Sequence, residues 1–510
     1  MEMTVRQMLG QKLIFGFHGT SLSEEFKDLI REYKIGNVIL FMRNVENAAQ
    51  VRRLCAEIQT LIQAETGYPA FIVIDQEGGI VSRLPEDGVT TPNAMTVAAT
   101  ACPENARIAA EIISRQLRGI GANFNMAPVL DVNTNPSNPV IGVRSFGDDP
   151  QEVARYGEAA VRAYNDAGML CCGKHFPGHG DTAVDSHLGL PVIDKSLEEL
   201  EQAELIPFRR CVEAGIPAIM SSHILFPQIE KEKVPGTMSR AILTDLLKNR
   251  LGFKGLILTD CMEMAAIQQF VGTPKGVIAA FQAGADLAEL SSRTELMRAT
   301  AKAVNEAAER GEFDMEELRQ SVEKILAVKK SLNMDVQPEL CGRPEDQEAV
   351  QRINREAITC CTGELPKVDE HTFFCGCGNY RASLAGNPDG EMSAFPAYMA
   401  SAFGGGSFEI SRNPEEGEIR EAVEASEPYA RIVLGTCSAH LYPGQLTLAE
   451  ALAATGKPLT IVMLRNPYDM PLLPDCACKI AAFDYSVPCF KALEEVFRGG
   501  AMGGVLPVRL

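Results

Sequence analysis

Eight short apolar runs, separated by longer amphipathic stretches, constrain the first two-thirds of this chain more than any single residue does. The runs are Lys12–Phe17, Asn37–Phe41, Phe71–Asp75, Asn123–Met126, Met169–Lys174, Ala218–Ser221, Leu256–Asp260 and Asp286–Leu290. Stretches with helical spacing lie between them, among them Ala106–Leu117, Gln151–Ala167, Leu197–Ala214 and Arg240–Arg250. Strand-like runs alternating with helices are the pattern of repeated βα units around a parallel sheet. Eight such units in about 335 residues predict a (β/α)8 TIM-type barrel carrying some long loops. The competing arrangement is a doubly wound open sheet. It ordinarily shows a G-x-G-x-x-G fingerprint after its first strand, and none stands there.

The polar residues are not scattered. Asp75 ends one apolar run, Lys174-His175 ends another, His223 follows Ala218–Ser221, and Asp260 closes Leu256–Thr259. In a barrel the C-terminal ends of the strands converge on one face, so residues nearly 200 positions apart would share one pocket. Beyond Lys174 the chain runs His175-Phe176-Pro177-Gly178-His179-Gly180-Asp181-Thr182-Ala183-Val184-Asp185-Ser186-His187. This stretch holds three of the seven histidines. Its glycines admit backbone angles that other residues resist, and its ionisable groups are ill suited to a hydrophobic core. An active-site loop is the expectation.

Residues 1–335 are therefore expected to form a catalytic barrel. Residues 336–352, with Pro338, Gly342 and Pro344, resemble a linker. From 353 to 510 the alternation resumes, with strands expected at His371–Cys377, Ser407–Ile410, Ala430–Gly435, Leu459–Leu464 and Ile480–Phe483. Helices are expected at Glu418–Ala425, Leu446–Ala454 and Cys489–Phe497. That describes a smaller αβα sandwich domain. Its Arg465-Asn466-Pro467-Tyr468-Asp469 is expected to be a turn and interdomain contact.

Composition limits the partners. The formal charge is −19 and the sequence pI is about 5.0, so nucleic acid and anionic membrane surfaces are excluded as expected partners. No apolar run approaches membrane-spanning length, and the first residues have no signal-peptide core. Fifteen cysteines without regular spacing suit free thiols in a reducing cytoplasm. The C-x-C pairs Cys375/Cys377 and Cys476/Cys478 lack a spaced histidine, so no metal site is expected there. No cofactor is implied, and no feature speaks to oligomeric state.

Asp185-Ser186-His187 places a carboxylate two positions before an imidazole. An aspartate can accept one ring proton, fix the tautomer and stabilise the imidazolium. A histidine, titrating near pH 6.5 when unperturbed, can then serve as both general acid and general base. No serine or cysteine occupies a nucleophile elbow. Asp260 remains the candidate nucleophile, as in retaining glycosidases. Its alternative is an N-cap for the following helix.

Four groups of residues resemble motifs of glycoside hydrolase family 3. They are Ile74-Asp75-Gln76-Glu77-Gly78-Gly79, Arg144-Ser145-Phe146-Gly147, Lys174–Thr182 with Asp185-Ser186-His187, and Thr259-Asp260. They occur in the family's order over about residues 1–335, and they resemble its β-N-acetylglucosaminidase branch, which cleaves GlcNAc from peptidoglycan fragments. The resemblance implies Asp260 as nucleophile, His187 as acid/base and Asp185 as its dyad partner. It implies that Asp75, Arg83, Arg144, Lys174 and His175 hold sugar hydroxyls, with His223 near the same pocket. The substrate implied is a small GlcNAc-containing glycoside, cleaved with retention.

Three other readings stay open at this level. Phosphate could replace water as glycosyl acceptor in the same site. Lys174, His175, His223 and Asp260 could hold a metal in a barrel hydrolase, although the H-x-H pair usual after the first strand is missing and only His18 stands there. A non-catalytic carbohydrate-binding relative is the third, against which the presence of Asp260, Asp185 and His187 argues.

Overall fold

A computed structural model describes residues 3–183, 189–378, 380 and 394–510. Eight parallel strands close into a barrel: β1 (Leu13–Phe15), β2 (Asn37–Leu40), β3 (Phe71–Ile74), β4 (Phe124–Asn125), β5 (Leu170–Phe176), β6 (Ala218–Ser221), β7 (Leu256–Cys261) and β8 (Leu287–Leu290). β8 pairs with β1 to complete the circle. All eight expected strands are present within a few residues of their expected ends, and the sheet is closed rather than open.

Side chains alternate across a strand, and one of the two sets fills the barrel. Ile14, Ile39, Phe71, Val73, Phe124, Cys172, Met220, Leu256, Leu258 and Leu287 form one buried cluster. Phe71 and Phe124 meet edge to face at 5.3 Å. Each such side chain contributes about 1.5–3 kcal/mol by leaving water. The helix Met315–Lys330 closes the N-terminal end with Ile325, and Lys329 donates to Gln11 Oε1 and the Gly36 carbonyl.

The helices obey their own periodicity. In Glu104–Ile120 the residues Ala109, Ile112, Ile113, Leu117 and Ile120 share the buried stripe. Gly121 then ends the helix at φ 90°, an angle that costs glycine little. Asp149 caps the next helix, Pro150–Asp166, by accepting from the Gln151 and Glu152 N–H groups.

A second sheet follows: β9 (Thr359–Gly363), β10 (Thr372–Cys377), β11 (Gly406–Ile410), β12 (Arg431–Thr436), β13 (Leu459–Met463) and β14 (Cys478–Ala481). Its order is β11-β10-β12-β13-β14-β9, with β9 antiparallel at one edge. The five expected strands are there; β9 is additional. Its Thr359-Cys360-Cys361-Thr362-Gly363 is short and largely exposed, so it carries little apolar signal.

The segment expected to link the two halves, 336–352, differs from that expectation. Most of it lies in the helix Pro344–Ala357 or the short turn Pro338–Leu340. Arg115 Nη2 reaches buried Asp346 at 2.6 Å, and Val350 and Ile353 are buried. Proline and charge at a helix start look like a loop in sequence.

The two sheets are joined through barrel loops. Met95, Ala99 and Val143 belong to the apolar cluster of the second sheet. Asn93 Nδ2 donates to the Phe483 carbonyl at 2.8 Å, and Asn133 Nδ2 lies 2.6 Å from the Tyr468 hydroxyl. Arg465–Asp469 is thus an interdomain turn, as its sequence suggests.

Candidate active site

Two residues beyond the inward-facing Val73, Cys172, Leu258 and Leu287 stand Asp75, Lys174, Asp260 and Glu289. The period of two that builds the core therefore also builds a polar tier on top of it. All four line a cavity of about 660 Å³ at the C-terminal mouth of the barrel, within the roughly 300–1,000 Å³ usual for small-molecule sites.

An ion network forms one wall. Lys174 Nζ is 2.7 Å from Asp75 Oδ1 and 2.7 Å from Glu77 Oε1. Arg144 clasps Glu77 with two parallel bonds, 2.8 Å from Nε and 2.7 Å from Nη2. Burial alone would raise the Glu77 carboxyl, but Arg144 and then Lys174 hold it well below the usual carboxylate range. Burial would lower Lys174; Asp75 and Glu77 instead hold it above its ordinary value. Both cations are charged at neutral pH and fixed in place, which suits gripping hydroxyls without reorganisation.

Glu77 is delivered by a tight turn. Gly78 and Gly79 have φ of 103° and 52°, and a Cβ on Gly79 would stand 2.6 Å from Asn93 Cβ. The strand-like return places Arg83 on the cavity wall, with its N–H donating to Gln76 Oε1 at 2.7 Å.

His175 and His179 are organised by Asp131. Its Oδ1 accepts from the backbone N–H groups of His175 (3.1 Å) and His179 (2.7 Å), and its Oδ2 lies 2.7 Å from His175 Nδ1. Burial pushes Asp131 up, yet the His175 side chain brings it below its ordinary value. An ionised Asp131 obliges His175 to carry its proton on Nδ1, leaving Nε2 to a ligand. His179 is buried, and that burial, with His175 nearby, lowers it to about 4. Its Nδ1 is 2.9 Å from Thr182 Oγ1.

The loop then presses against the barrel. A Cβ on Gly180 would fall 1.8 Å from the Val132 carbonyl oxygen, so only glycine fits. Asn138 Nδ2 donates to the His179 carbonyl at 2.8 Å. Asp181 turns outward to Lys195 at 2.8 Å. Asp185 and His187, expected to move the proton, lie outside the described residues.

Asp260, next to last in β7, is half-buried, its Oδ1 accepting from the Cys261 N–H at 2.7 Å. It does not cap the next helix: Met264 holds that position before Ala265–Gln268. His223 departs from its expected place. It is fully buried and is not among the cavity-lining residues. Its Nδ1 is 2.9 Å from Thr237 Oγ1 and its Nε2 3.0 Å from the Cys261 carbonyl. In β6 the inward positions are Ala218 and Met220, so residue 223 falls one out of register with the tier. It steadies the backbone beside Asp260.

Five expected residues thus line one cavity with Asp260: Asp75, Arg83, Arg144, Lys174 and His175. Sequence reasoning missed Glu77, Asp131 and Glu289. Glu289 was legible from period two in Leu287-Ala288-Glu289. Asp131 was legible only as a carboxylate inside the apolar run Val129-Leu130-Asp131-Val132.

A closed barrel with a carboxylate nucleophile candidate and a cationic grip at its strand ends defines a class, the barrel hydrolases of polar substrates. Residues 3–328 match the family described as glycosyl hydrolase family 3 N terminal domain; the chain belongs to that family and is a glycoside hydrolase. It is 36% identical over 401 residues to β-hexosaminidase A of Pseudoalteromonas piscicida, covering 70% of this chain and 67% of that protein. It is 37% identical over 290 residues to a β-hexosaminidase of Thiobacillus denitrificans, covering 56% and 79%. Among solved structures, a glycoside hydrolase family 3 β-N-acetylglucosaminidase from Paenibacillus sp. str. FPU-7 superposes with TM-score 0.93 at 36% identity. That match covers 100% of this chain and 99% of that one.

Proposed function

We propose that this protein is a retaining exo-β-N-acetylglucosaminidase that removes terminal GlcNAc from peptidoglycan-derived fragments or related β-glycosides. The observation that carries the reading is the shared polar tier: Asp260 faces the Lys174–Asp75 pair within one cavity. Full-length similarity to a β-N-acetylglucosaminidase supports the sugar assigned.

Asp260 attacks the anomeric carbon, forming a covalent glycosyl-enzyme, while His187 protonates the leaving oxygen. His187 then deprotonates a water that releases the sugar, with Asp185 holding the imidazole tautomer. Asp75, Arg83, Arg144, Lys174 and His175 bind ring hydroxyls, and bonds that tighten in the oxocarbenium-like state lower the barrier. A histidine donor, neutral once it has given up its proton, also avoids a further carboxylate beside Asp260, Asp75 and Glu289. We assign the chemistry to residues 1–335 and a buttressing role to 353–510. A reducing, cytoplasmic setting accords with fifteen free thiols. Among the described residues no helix is long and apolar enough to cross a membrane.

Product analysis on GlcNAc–MurNAc fragments and chitobiose, with and without phosphate, tests the reading. Free GlcNAc is expected under both conditions. A GlcNAc 1-phosphate product would refute hydrolysis. Asp260→Ala should nearly abolish turnover. His187→Ala should harm natural substrates far more than those with an activated leaving group, and equal loss on both would refute its acid role.

A further inference from the structure

Glu289 belongs to none of the motifs that resemble the family, yet it stands in the same tier as Asp75, Lys174 and Asp260. It is 4% exposed, and its carboxyl has no hydrogen-bond or ion-pair partner among the described residues. Its main chain is pinned, with its N–H donating to Thr259 Oγ1 (3.1 Å) and its carbonyl accepting from Met262 (2.8 Å). The side chain therefore cannot leave the pocket by a slip of β8. A carboxyl held on the wall of a cavity, with no hydrogen bond to a described residue, is available to a ligand there.

The neighbouring cations are committed elsewhere. Lys174 is held by Asp75 and Glu77. Arg43 donates to the carbonyls of Phe17 and Ser291, and Arg293 faces Glu263 at 3.7 Å. Lys174 attracts the Glu289 carboxyl only at a distance, and the carboxyl lines the cavity, where a ligand can reach it. We propose that Glu289 is a substrate-binding residue, its carboxyl hydrogen-bonding a sugar hydroxyl on the β8 side of the bound ring.

The assignment rests on the β-N-acetylglucosaminidase reading, which puts a pyranose in this cavity. β7 and β3 lie four strands apart, on opposite sides of the mouth. A ring with its anomeric carbon at Asp260 and far hydroxyls at Asp75 and Lys174 spans that gap. One of its edges then faces β5 and the other faces the side formed by β8, β1 and β2, where Glu289 stands on the strand next to that of Asp260. Burial, then Asp75 and Asp260, push the Glu289 carboxyl far above the usual carboxylate range. A protonated carboxyl both donates and accepts, and so does a hydroxyl.

Calorimetry reads the contact without needing turnover. GlcNAc and its 3-, 4- and 6-deoxy analogues are titrated into wild type, Glu289→Gln, Glu289→Leu and Glu289→Met. Loss of one such bond should weaken GlcNAc binding about 10- to 100-fold in the Leu and Met variants. Gln, which keeps a donor and an acceptor, should restore most of it. For one deoxy analogue the Leu and Met variants should bind as well as wild type does, which identifies the hydroxyl. GlcNAc bound equally well by wild type and Leu, or every analogue weakened by one common factor, would overturn the assignment. Wild-type turnover of a chromogenic β-GlcNAc glycoside is scored separately. GlcNAc binding without turnover refutes hydrolysis, while the Glu289 coupling is still read.

Discussion

Replacing Glu77 with glutamine should cost the barrel about 3–5 kcal/mol, the usual consequence of removing one partner from a buried ion pair. Glu77, Arg144 and Lys174 have side chains only 6%, 3% and 3% exposed. Two cations and two carboxylates, with Asp75, balance in the native site. The glutamine variant leaves one positive charge uncompensated at nearly unchanged volume. A larger protein loses roughly 2–4 °C of Tm per kcal/mol, so melting should fall by about 6–20 °C at pH 7. The sign of the pH dependence follows from the depressed Glu77 carboxyl. Its contribution is complete above the unfolded value, near 4.3 for glutamate. It fades as pH falls below that value towards the native one. Urea unfolding at pH 7 and pH 3 should therefore show a gap between wild type and variant that narrows in acid. A variant matching wild type within about 0.5 kcal/mol at pH 7, or a gap that widens in acid, would refute the network as described. KM should also rise, because Lys174 and Arg144 lose their common anchor.

Three further outcomes are expected. Asp131→Asn should leave the fold intact while lowering kcat about 10²- to 10⁴-fold, since asparagine no longer forces the Nδ1–H tautomer of His175; steady-state kinetics with a melting curve decide it, and unchanged kcat counts against the tautomer role. His179, native near 4, must take up a proton on unfolding at pH below about 6.5, so stability should fall as pH drops from about 6.5 to 4. His179→Asn should flatten that slope in acid denaturation, and an unaltered slope would be the contrary result. Tyr468→Phe removes the hydroxyl that meets Asn133 across the domains; a loss of about 1 kcal/mol is expected by urea unfolding, and none would show the contact to be idle.

Much of the barrel was legible from its apolar runs, and three of the strands are written twice, in the run and in the polar residue at its end. Asp75, Lys174 and Asp260 could be placed on one face before any coordinates, since period two and strand direction decide which side chains reach the mouth. His223 could not. Two residues past Ser221 the chain has left the strand, and whether it points inward depends on a turn that local sequence does not specify. Glu77 was read as part of a motif, but its place between two cations depends on Arg144, 67 positions away. β9 and the helix Pro344–Ala357 escaped for the opposite reason. Their local composition is that of a loop, and packing against distant residues such as Arg115 overrides it.

The sequence by itself determined the class of fold, the glycine-rich histidine loop and the chemical types available at the strand ends. Those follow from hydrophobic periodicity and backbone sterics, which act over a few residues. Only the tertiary structure decided the partners. Asp131 beneath His175, Glu77 between Lys174 and Arg144, and Lys174 against Asp75 are relations between residues that the chain separates by 44 to 99 positions. In a closed barrel, strand order and shear set which side chains meet, and electrostatics at a few ångströms then sets their charge.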